Sequence, residues 1–254
     1  MSLPRTPSFR LDGRRALVTG AGRGIGLALA AALAEAGAAV TLVARTVGEI
    51  EDGAEAIRSE GGLADAAVLD VSDMSAVADF FTTRPAFHVL VNNAGTNRPK
   101  PMQDVSEADY DAVLDLNLKS AFFVAQGCVS RMLADGTSGS LIHIGSQMGH
   151  VGGPNRALYC ASKWGLEGMS KAFALDLAGD KIRSNTIAPT FIETPMTKPF
   201  FDDSEFKASV LAKIKLGRIG TVEDLMGAAL FLASDASALV TGTSLIVDGG
   251  WTAE

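Results

Sequence analysis

Cysteines and metal-binding patterns are scarce in this sequence. Its 254 residues include two cysteines, Cys128 and Cys160, which form neither a CxxC pair nor the framework of a disulfide-rich fold. The histidines, cysteines and acidic residues nowhere show the spacing of metal ligands. These absences predict a chain that folds without disulfides in a reducing compartment, the cytoplasm, and that uses no metal in its chemistry.

The chain also lacks an excess of positive charge and an apolar leader. Its net charge of −7 argues against binding to nucleic-acid backbones and to anionic membranes. Residues 1–10 contain two prolines but no apolar core, so they predict a loose tail and not a signal peptide. Residues 24–44 are nearly all apolar, but Gly37 divides them into a buried helix and a strand.

Short apolar runs alternate with helical periodicities, and no linker, repeat or low-complexity stretch interrupts them. Strands are predicted at residues 15–18, 40–43, 64–69, 89–91, 140–144, 182–187 and 244–247. Continuous apolar strands of this kind are typical of a parallel sheet covered on both faces. Residues 11–254 therefore predict a single α/β domain, a doubly wound, Rossmann-like sheet of about seven strands with ligands at the carboxyl ends.

A glycine-rich turn, Thr19-Gly20-Ala21-Gly22-Arg23-Gly24-Ile25-Gly26, follows the first strand. Glycines tolerate positive φ and let backbone N–H groups approach a pyrophosphate closely. The helix that begins near Arg23 directs the positive end of its dipole at such an anion. Because the turn follows a strand and opens an apolar helix, it predicts a dinucleotide site.

Several motifs together resemble the short-chain dehydrogenases/reductases over about residues 10–250. The glycine turn fits Thr-Gly-x-x-x-Gly-x-Gly, residues 92–95 read Asn-Asn-Ala-Gly, and Tyr159 and Lys163 form Tyr-x-x-x-Lys. The resemblance implies a nicotinamide-dependent oxidoreductase whose catalytic residues are Ser146, Tyr159, Lys163 and Asn117. It further implies that Lys163 binds the nicotinamide ribose and that Asn117 holds a water in a proton relay.

The loop and the resemblance together predict a set of cofactor-binding residues. These are Gly20, Arg23, Gly24, Ile25, Gly26, Arg45, Asp70, Val71, Asn93, Ala94, Gly95, Tyr159, Lys163, Pro189, Thr190, Ile192 and Thr194. By resemblance Asp70 faces the adenine. One departure from the family pattern is Pro189-Thr190, where many members have Pro-Gly beside the nicotinamide.

The predicted reactive centre follows from ordinary acid–base chemistry. Tyr159 and Lys163 are four residues apart on one predicted helix, so their side chains share a face. We expect the ammonium to lower the pKa of the phenol from its usual value of about 10 and make Tyr159 a general acid/base. Ser146 follows a strand end, where its hydroxyl is expected to hold the substrate oxygen.

The end of the second strand predicts which dinucleotide is used. An acid there would bind both ribose hydroxyls of NAD, but this chain reads Val43-Ala44-Arg45. Arg45, with Arg23 approaching from the glycine turn, is expected to bind the 2′-phosphate of NADP(H). The alternative is that Arg45 stacks on the adenine or points to solvent, since some members with this pattern use NAD.

The predicted substrate is a small polar alcohol or carbonyl compound such as a sugar, polyol or sugar acid. Gln147, His150 and Asn155 are expected to bind its hydroxyls, and Arg98 is expected to meet a carboxylate. The alternative is that Arg98 and His150 are solvated loop residues. His143 lies inside an apolar strand and is interpreted as a core residue.

Two other functions and an assembly are compatible with the sequence. A 3-oxoacyl thioester reductase would use basic residues such as Arg131 and Lys171 to dock a phosphorylated carrier. A catalytically silent nucleotide-binding scaffold is disfavoured because Tyr159 and Lys163 are both kept. The resemblance implies a mobile lid around Phe191, Met196, Phe200, Phe201 and Phe206, and a homotetramer packed through residues 106–133, 156–178 and 247–251.

Overall fold

Seven parallel strands form one sheet in the computed structural model, which describes residues 3–253. The strands are β1 (Arg15–Thr19), β2 (Ala39–Ala44), β3 (Leu63–Val68), β4 (Val89–Asn92), β5 (Gly139–Ile144), β6 (Ile182–Pro189) and β7 (Ser244–Val247). Their order across the sheet is β3-β2-β1-β4-β5-β6-β7. This arrangement confirms the predicted Rossmann-like fold, and the order reverses between β1 and β4, where a crevice opens at the carboxyl ends.

Helices cover both faces of the sheet. They are α1 (Gly24–Glu35), α2 (Val47–Ser59), α3 (Met74–Thr82), α4 (Glu107–Leu114), α5 (Ser120–Ala134), α6 (Ala157–Asp176), α7 (Ser204–Leu211) and α8 (Glu223–Ala233). One apolar cluster packs α1 and α8 against the sheet, and a second packs α3 and α5 against the other face. Single 3-10 turns at Gln147–Gly149 and Lys198–Asp202 flank the crevice.

The helix expected over residues 106–133 is not regular. A π-helical turn, Asp115–Lys119, separates α4 from α5 and places Asn117 at its centre. A π turn adds one residue to the helical repeat, and such turns occur frequently at functional sites. The periodicity of the apolar residues did not indicate this interruption, because α4 and α5 continue in the same direction.

Two further features concern the surface and the chain ends. The helical stretch Glu107–Ala134 is long and apolar enough to cross a membrane by length and composition alone, criteria that a core helix of a soluble protein also meets. Residues 3–10 contain no helix or strand and are exposed. Residues 1, 2 and 254 of the expected tail and domain lie outside the described part of the chain.

Candidate active site

The glycine turn between β1 and α1 lies against the segment that follows β4. The Asn93 side chain donates hydrogen bonds to the backbone oxygens of Thr19 (3.0 Å) and Gly20 (3.1 Å). In return the Thr19 hydroxyl accepts from the backbone N–H groups of Asn93 (3.0 Å) and Ala94 (3.1 Å). These hydrogen bonds hold the glycine turn and the Asn-Asn-Ala-Gly segment together at the base of the crevice.

Backbone conformation explains one glycine of the turn, and close packing explains another. Gly24 has φ +58°, a conformation that a residue with a side chain adopts only under strain. A Cβ atom at Gly26 would collide with the backbone oxygen of Gly20 and lie 2.6 Å from Asn93 Nδ2. Gly26 thus permits the close approach of helix, strand and loop that leaves the N-terminus of α1 facing the crevice.

Two arginines and two carboxylates lie at the end of the crevice near β2. Arg23 pairs with Glu49 at 3.0 Å, and Arg45 lies 4.0 Å from Asp70. The arginine side chains are 66% and 75% exposed. Asp70 accepts hydrogen bonds from the backbone N–H and hydroxyl of Ser72, which hold the pKa of Asp70 below its usual range. We call this region the adenine end.

The predicted reactive residues meet at the other end of the crevice. Tyr159 and Lys163 lie on the first turns of α6, with the ammonium nitrogen 5.5 Å from the centre of the phenol ring. Lys163 donates to the backbone oxygen of Ile144, the last residue of β5, at 2.7 Å. Ser146 lies two residues beyond that strand, and its hydroxyl accepts from the backbone N–H of Met148 at 3.1 Å. We call this region the catalytic end.

Burial changes the acid–base properties expected from the sequence. It raises the pKa of Tyr159, a shift that a hydrogen bond with Ser146 and the charge of Arg156 oppose. The expectation that a neighbouring ammonium leaves Tyr159 with a lowered pKa is thus wrong for the protein alone, because desolvation outweighs the favourable charges. Burial also lowers the pKa of Lys163 to about 8, while the Glu167 carboxylate raises it.

Asn117 reaches the catalytic end from the π turn. Its amide nitrogen donates to the backbone oxygen of Thr96 (2.9 Å) and to the hydroxyl of Ser162 (3.0 Å), and its side-chain oxygen accepts from the Thr96 N–H at 2.7 Å. Asn117 therefore ties α6 to the loop after β4. Its side chain is buried behind the crevice and does not line it.

One crevice of about 520 Å³ contains every residue predicted to bind the cofactor, together with Ser146 and Gln147. A cavity of this size lies within the usual range for small-molecule sites. Met196 and Phe200 line it as well, whereas Phe201 and Phe206 pack against Phe191 behind it. The predicted lid segment thus contributes both a wall and a small aromatic core.

Sequence comparison places this geometry in a known group. The family model described as Enoyl-(Acyl carrier protein) reductase matches residues 20–252. D-Erythrulose reductase from Gallus gallus is 37% identical over 245 residues, which cover 96% of this chain and 98% of the relative. The chain belongs to the short-chain dehydrogenase/reductase family. It is an oxidoreductase of the nicotinamide-dependent class, as the sequence motifs predicted.

Other members differ in what they are named for. Gluconate 5-dehydrogenase from Gluconobacter oxydans is 38% identical over 248 residues, covering 96% of both chains. A 3-oxoacyl-[acyl-carrier-protein] reductase from Thermotoga maritima is also 38% identical, covering 95% of this chain and 99% of the relative.

Solved structures give the same family and the same fold. The structure of a gluconate 5-dehydrogenase from Burkholderia cenocepacia J2315, in complex with NADP and tartrate, superposes with a TM-score of 0.92 at 42% identity, covering 97% of this chain and 98% of that one. A candidate 2-deoxy-d-gluconate 3-dehydrogenase from Agrobacterium tumefaciens, with bound NADP, gives 0.94 at 42% identity, covering 98% and 100%.

The residues present fit a nicotinamide dinucleotide. Gly24 faces Thr194 across the crevice, and a Cβ atom on Gly24 would fill the space between them, since it would touch the Thr194 side chain at 3.5 Å. Thr190 Oγ1 and Asn97 Oδ1 line the crevice, are buried and have no hydrogen-bond partner within residues 3–253. The departure Pro189-Thr190 therefore brings a hydroxyl that is free to bind a ligand beside the catalytic end.

Each polar side chain has a definable role in this family's chemistry. The nicotinamide, when bound, supplies or accepts the hydride. The Ser146 oxygen accepts from Met148, and its O–H faces Tyr159, so the hydroxyl is placed to donate to a substrate oxygen held between the two residues. The raised pKa keeps Tyr159 protonated and ready to donate a proton during carbonyl reduction. Lys163 keeps N–H donors free beyond the one that binds Ile144.

The predicted substrate residues are only partly brought together. Gln147 is buried and lines the crevice, but Arg98, His150 and Asn155 do not line it. Arg98 pairs with Asp109 at 3.2 Å, and His150 Nε2 lies 2.9 Å from the hydroxyl of Ser244. Asn155 is exposed at φ +58°, where its backbone oxygen accepts from Lys100. Partners elsewhere in the fold hold the Arg98 and His150 side chains outside the crevice, and the exposed turn at Asn155 leaves its side chain outside as well.

Sequence reasoning missed Arg156, which lines the crevice and is 9% exposed. It is the residue immediately before α6, and only its place three residues ahead of Tyr159 pointed to it. His143, by contrast, is fully buried in β5, as the apolar context indicated. Within residues 3–253 no group of histidine, cysteine and acidic side chains has the arrangement of a metal site.

Proposed function

We propose that this protein interconverts a hydroxyl and a carbonyl group on a small polyhydroxylated substrate, a sugar, polyol or sugar acid, with NADP(H) as the preferred cofactor. The observation that carries the substrate class is the polarity of the catalytic end. Gln147 and Asn97 line the crevice with side-chain groups that make no hydrogen bond within residues 3–253. A substrate rich in hydroxyls would satisfy groups that an apolar chain would leave unpaired.

The cofactor preference is supported by the adenine end. Arg45 lies at the end of β2, where a discriminating acid is absent, and Arg23 approaches from the glycine turn. The two solved structures described above contain NADP. Because Glu49 and Asp70 face the same arginines, we expect a preference of about tenfold and not an absolute one.

A second function, reduction of 3-oxoacyl thioesters on a carrier protein, is favoured by the relative of that name from Thermotoga maritima. The residues proposed to dock the carrier are engaged within the chain itself. Arg131 pairs with Asp135 at 3.1 Å, and Lys171 donates to the backbone oxygen of Gly242 at 3.1 Å. Neither residue lines the crevice.

A substrate panel separates the two. The purified enzyme is given sugars, polyols, sugar acids and an acetoacetyl thioester with each nicotinamide cofactor, and the absorbance of the reduced nicotinamide is followed. We expect turnover of a sugar, polyol or sugar acid with higher kcat/KM for NADP(H). Turnover of the thioester alone, or of long apolar ketones alone, would contradict the proposal.

We also propose a cytoplasmic homotetramer. Phe122 and Phe123 on α5 and Trp164 on α6 are 38%, 37% and 54% exposed, which leaves apolar surface on two adjacent helices. Both cysteines are free, which suits a reducing compartment. Light scattering should give four times the chain mass and a smaller mass for Trp164→Glu. A wild-type monomer at micromolar concentration would contradict the assembly, and fractionation of cells tests the location.

A further inference from the structure

Arg156 is a buried cation at the catalytic end. It is 9% exposed, lines the crevice and immediately precedes α6, three residues before Tyr159. Residues three apart at the start of a helix are neighbours. The charge of Arg156 acts directly on Tyr159, where it opposes the increase in pKa caused by burial. The guanidinium is therefore close to the atoms at which a substrate oxygen would be protonated.

No group in residues 3–253 neutralises this charge. The guanidinium of Arg156 makes no hydrogen bond or ion pair there, and it lies over the ring of Phe200, with Cζ 6.0 Å from the centroid. Two other cations, in contrast, are paired with a buried carboxylate. Arg98 and Lys100 lie 3.2 and 2.6 Å from the carboxylate oxygens of Asp109.

A cation at the position of Arg156 lowers the stability of the fold. Burial of the side chain removes part of its hydration and lowers the pKa of the guanidinium, and no ion pair in residues 3–253 offsets this cost. A cation at the N-terminus of a helix also lies at the wrong end of the helix dipole, and Arg156 makes no capping hydrogen bond there. The ring of Phe200 offsets these costs only in part, because it supplies no hydrogen-bond acceptor, so the guanidinium donors are left for a ligand in the crevice.

We propose that Arg156 is the carboxylate-binding residue of the substrate site and makes the enzyme selective for sugar acids over neutral polyols. This inference rests on the proposed function and narrows it to polyhydroxylated acids. A guanidinium binds a carboxylate through two parallel charge-assisted hydrogen bonds. Gln147, which follows Ser146 and lines the same crevice, is then available to bind the hydroxyls of the same molecule.

A matched pair of substrates tests the proposal. Gluconate and glucitol carry the same chain of hydroxyls and differ only in a carboxylate against a hydroxymethyl group. Arg156→Met should lower kcat/KM for gluconate by about ten- to hundredfold while changing the value for glucitol less than about threefold. Arg156→Lys, which keeps the charge but loses the planar pair of donors, should lie between the two.

Controls identify the residue responsible. Arg58→Met removes an exposed arginine of α2 that pairs with Glu55, and it should leave the preference for the acid unchanged. Arg98→Met tests the competing assignment, in which Arg98 binds the substrate carboxylate. Loss of the acid in Arg98→Met but not in Arg156→Met would overturn the proposal. So would an equal loss of both substrates in Arg156→Met, because that result assigns Arg156 to the ionisation of Tyr159.

Binding without turnover separates this inference from the proposed function. Tartrate is titrated into wild type and Arg156→Met, both loaded with NADPH, by calorimetry. We expect its Kd to rise at least tenfold in the variant, and equal affinity would overturn the carboxylate role. If wild type turned over neither sugar acids nor polyols, the proposed function would fail while the tartrate result still decided the role of Arg156.

Discussion

The two ends of the crevice hold their charges in opposite ways. At the adenine end, Arg23 and Arg45 are exposed and lie beside carboxylates. At the catalytic end, Lys163 and Arg156 are buried, and neither forms an ion pair with a carboxylate of residues 3–253 at hydrogen-bonding distance. Exposed pairs are worth about 0–1 kcal/mol and rearrange easily, whereas a buried charge is held in one place at a substantial cost. Cofactor preference should therefore tolerate substitution far better than the chemical step.

The largest expected effect is loss of the phenol at the catalytic end. Tyr159→Phe removes the one group there whose raised pKa keeps a proton available for transfer to a substrate oxygen. We expect kcat/KM to fall by about a thousandfold or more, about 4 kcal/mol in the barrier. Binding of NADPH, measured by its fluorescence, should stay within about threefold, because the contacts at the adenine end are intact.

The second tyrosine of the chain provides a matched control. Tyr110 lies on α4, is 53% exposed and does not line the crevice, so Tyr110→Phe should keep wild-type activity. If Tyr159→Phe retained near-wild-type turnover, the assignment of the acid/base would be wrong.

A glycine between the two ends gives the next largest effect. Gly26→Ala would force a methyl group against the backbone oxygen of Gly20 and the side chain of Asn93. The shift needed would disturb the N-terminus of α1, so we expect the Kd for NADPH to rise by about a hundredfold and the Tm to fall. Gly48→Ala on α2 meets no atom within 4 Å, so the Kd should stay unchanged and the Tm should stay level or rise slightly with helix propensity. Equal Kd values for both variants would show that the glycine turn is not part of the cofactor site.

The reasons for success and failure of sequence prediction differ between the two ends. Tyr159, Lys163 and Ser146 were predictable because the family resemblance named them and because helix periodicity and a strand end fix their positions locally. Arg98 was expected to meet a carboxylate and Arg156 was not considered, because what separates them in the structure is their partners. Asp109 neutralises the first, and the lid residue Phe200, far along the chain, covers the second. The lowered pKa expected for Tyr159 was wrong for a similar reason, since burial is a property of the whole fold.

His143 sharpens the contrast between buried groups that act and one that only packs. Both ring nitrogens are buried without a hydrogen-bond partner in residues 3–253, and burial lowers the pKa of His143 to about 4. A histidine with a depressed folded-state pKa binds fewer protons than the unfolded chain between about pH 6.5 and 4, so stability falls as the pH falls through this window.

The loss assigned to this one group is about 3 kcal/mol at pH 4, by 1.36 kcal/mol per pKa unit. His143→Leu cannot take up that proton. Its free energy of unfolding relative to wild type should therefore rise between pH 7 and pH 4, as measured by urea denaturation. Parallel pH dependences would mean that His143 is not buried as a neutral group, and a large loss of activity at pH 7 would give it a role in catalysis.

The smallest effect is expected at the adenine end, where Arg45→Ala should change the choice of cofactor and little else. Arg45 is exposed and 4.0 Å from Asp70, so its removal costs little stability but takes away the group proposed to bind the 2′-phosphate. We expect the ratio of kcat/KM for NADPH over NADH to fall by about tenfold, about 1.4 kcal/mol, with kcat for NADH unchanged.

Glu49→Gln should act in the opposite direction, because it frees Arg23 from its carboxylate 3.0 Å away and removes a negative charge that repels phosphate. Raising the salt concentration should weaken both effects, since exposed charges are screened. An Arg45→Ala enzyme with an unchanged ratio, or a wild type that favours NADH tenfold, would show that Arg45 does not select the cofactor. Ligand binding by cations would then be confined to Lys163 and Arg156 at the catalytic end.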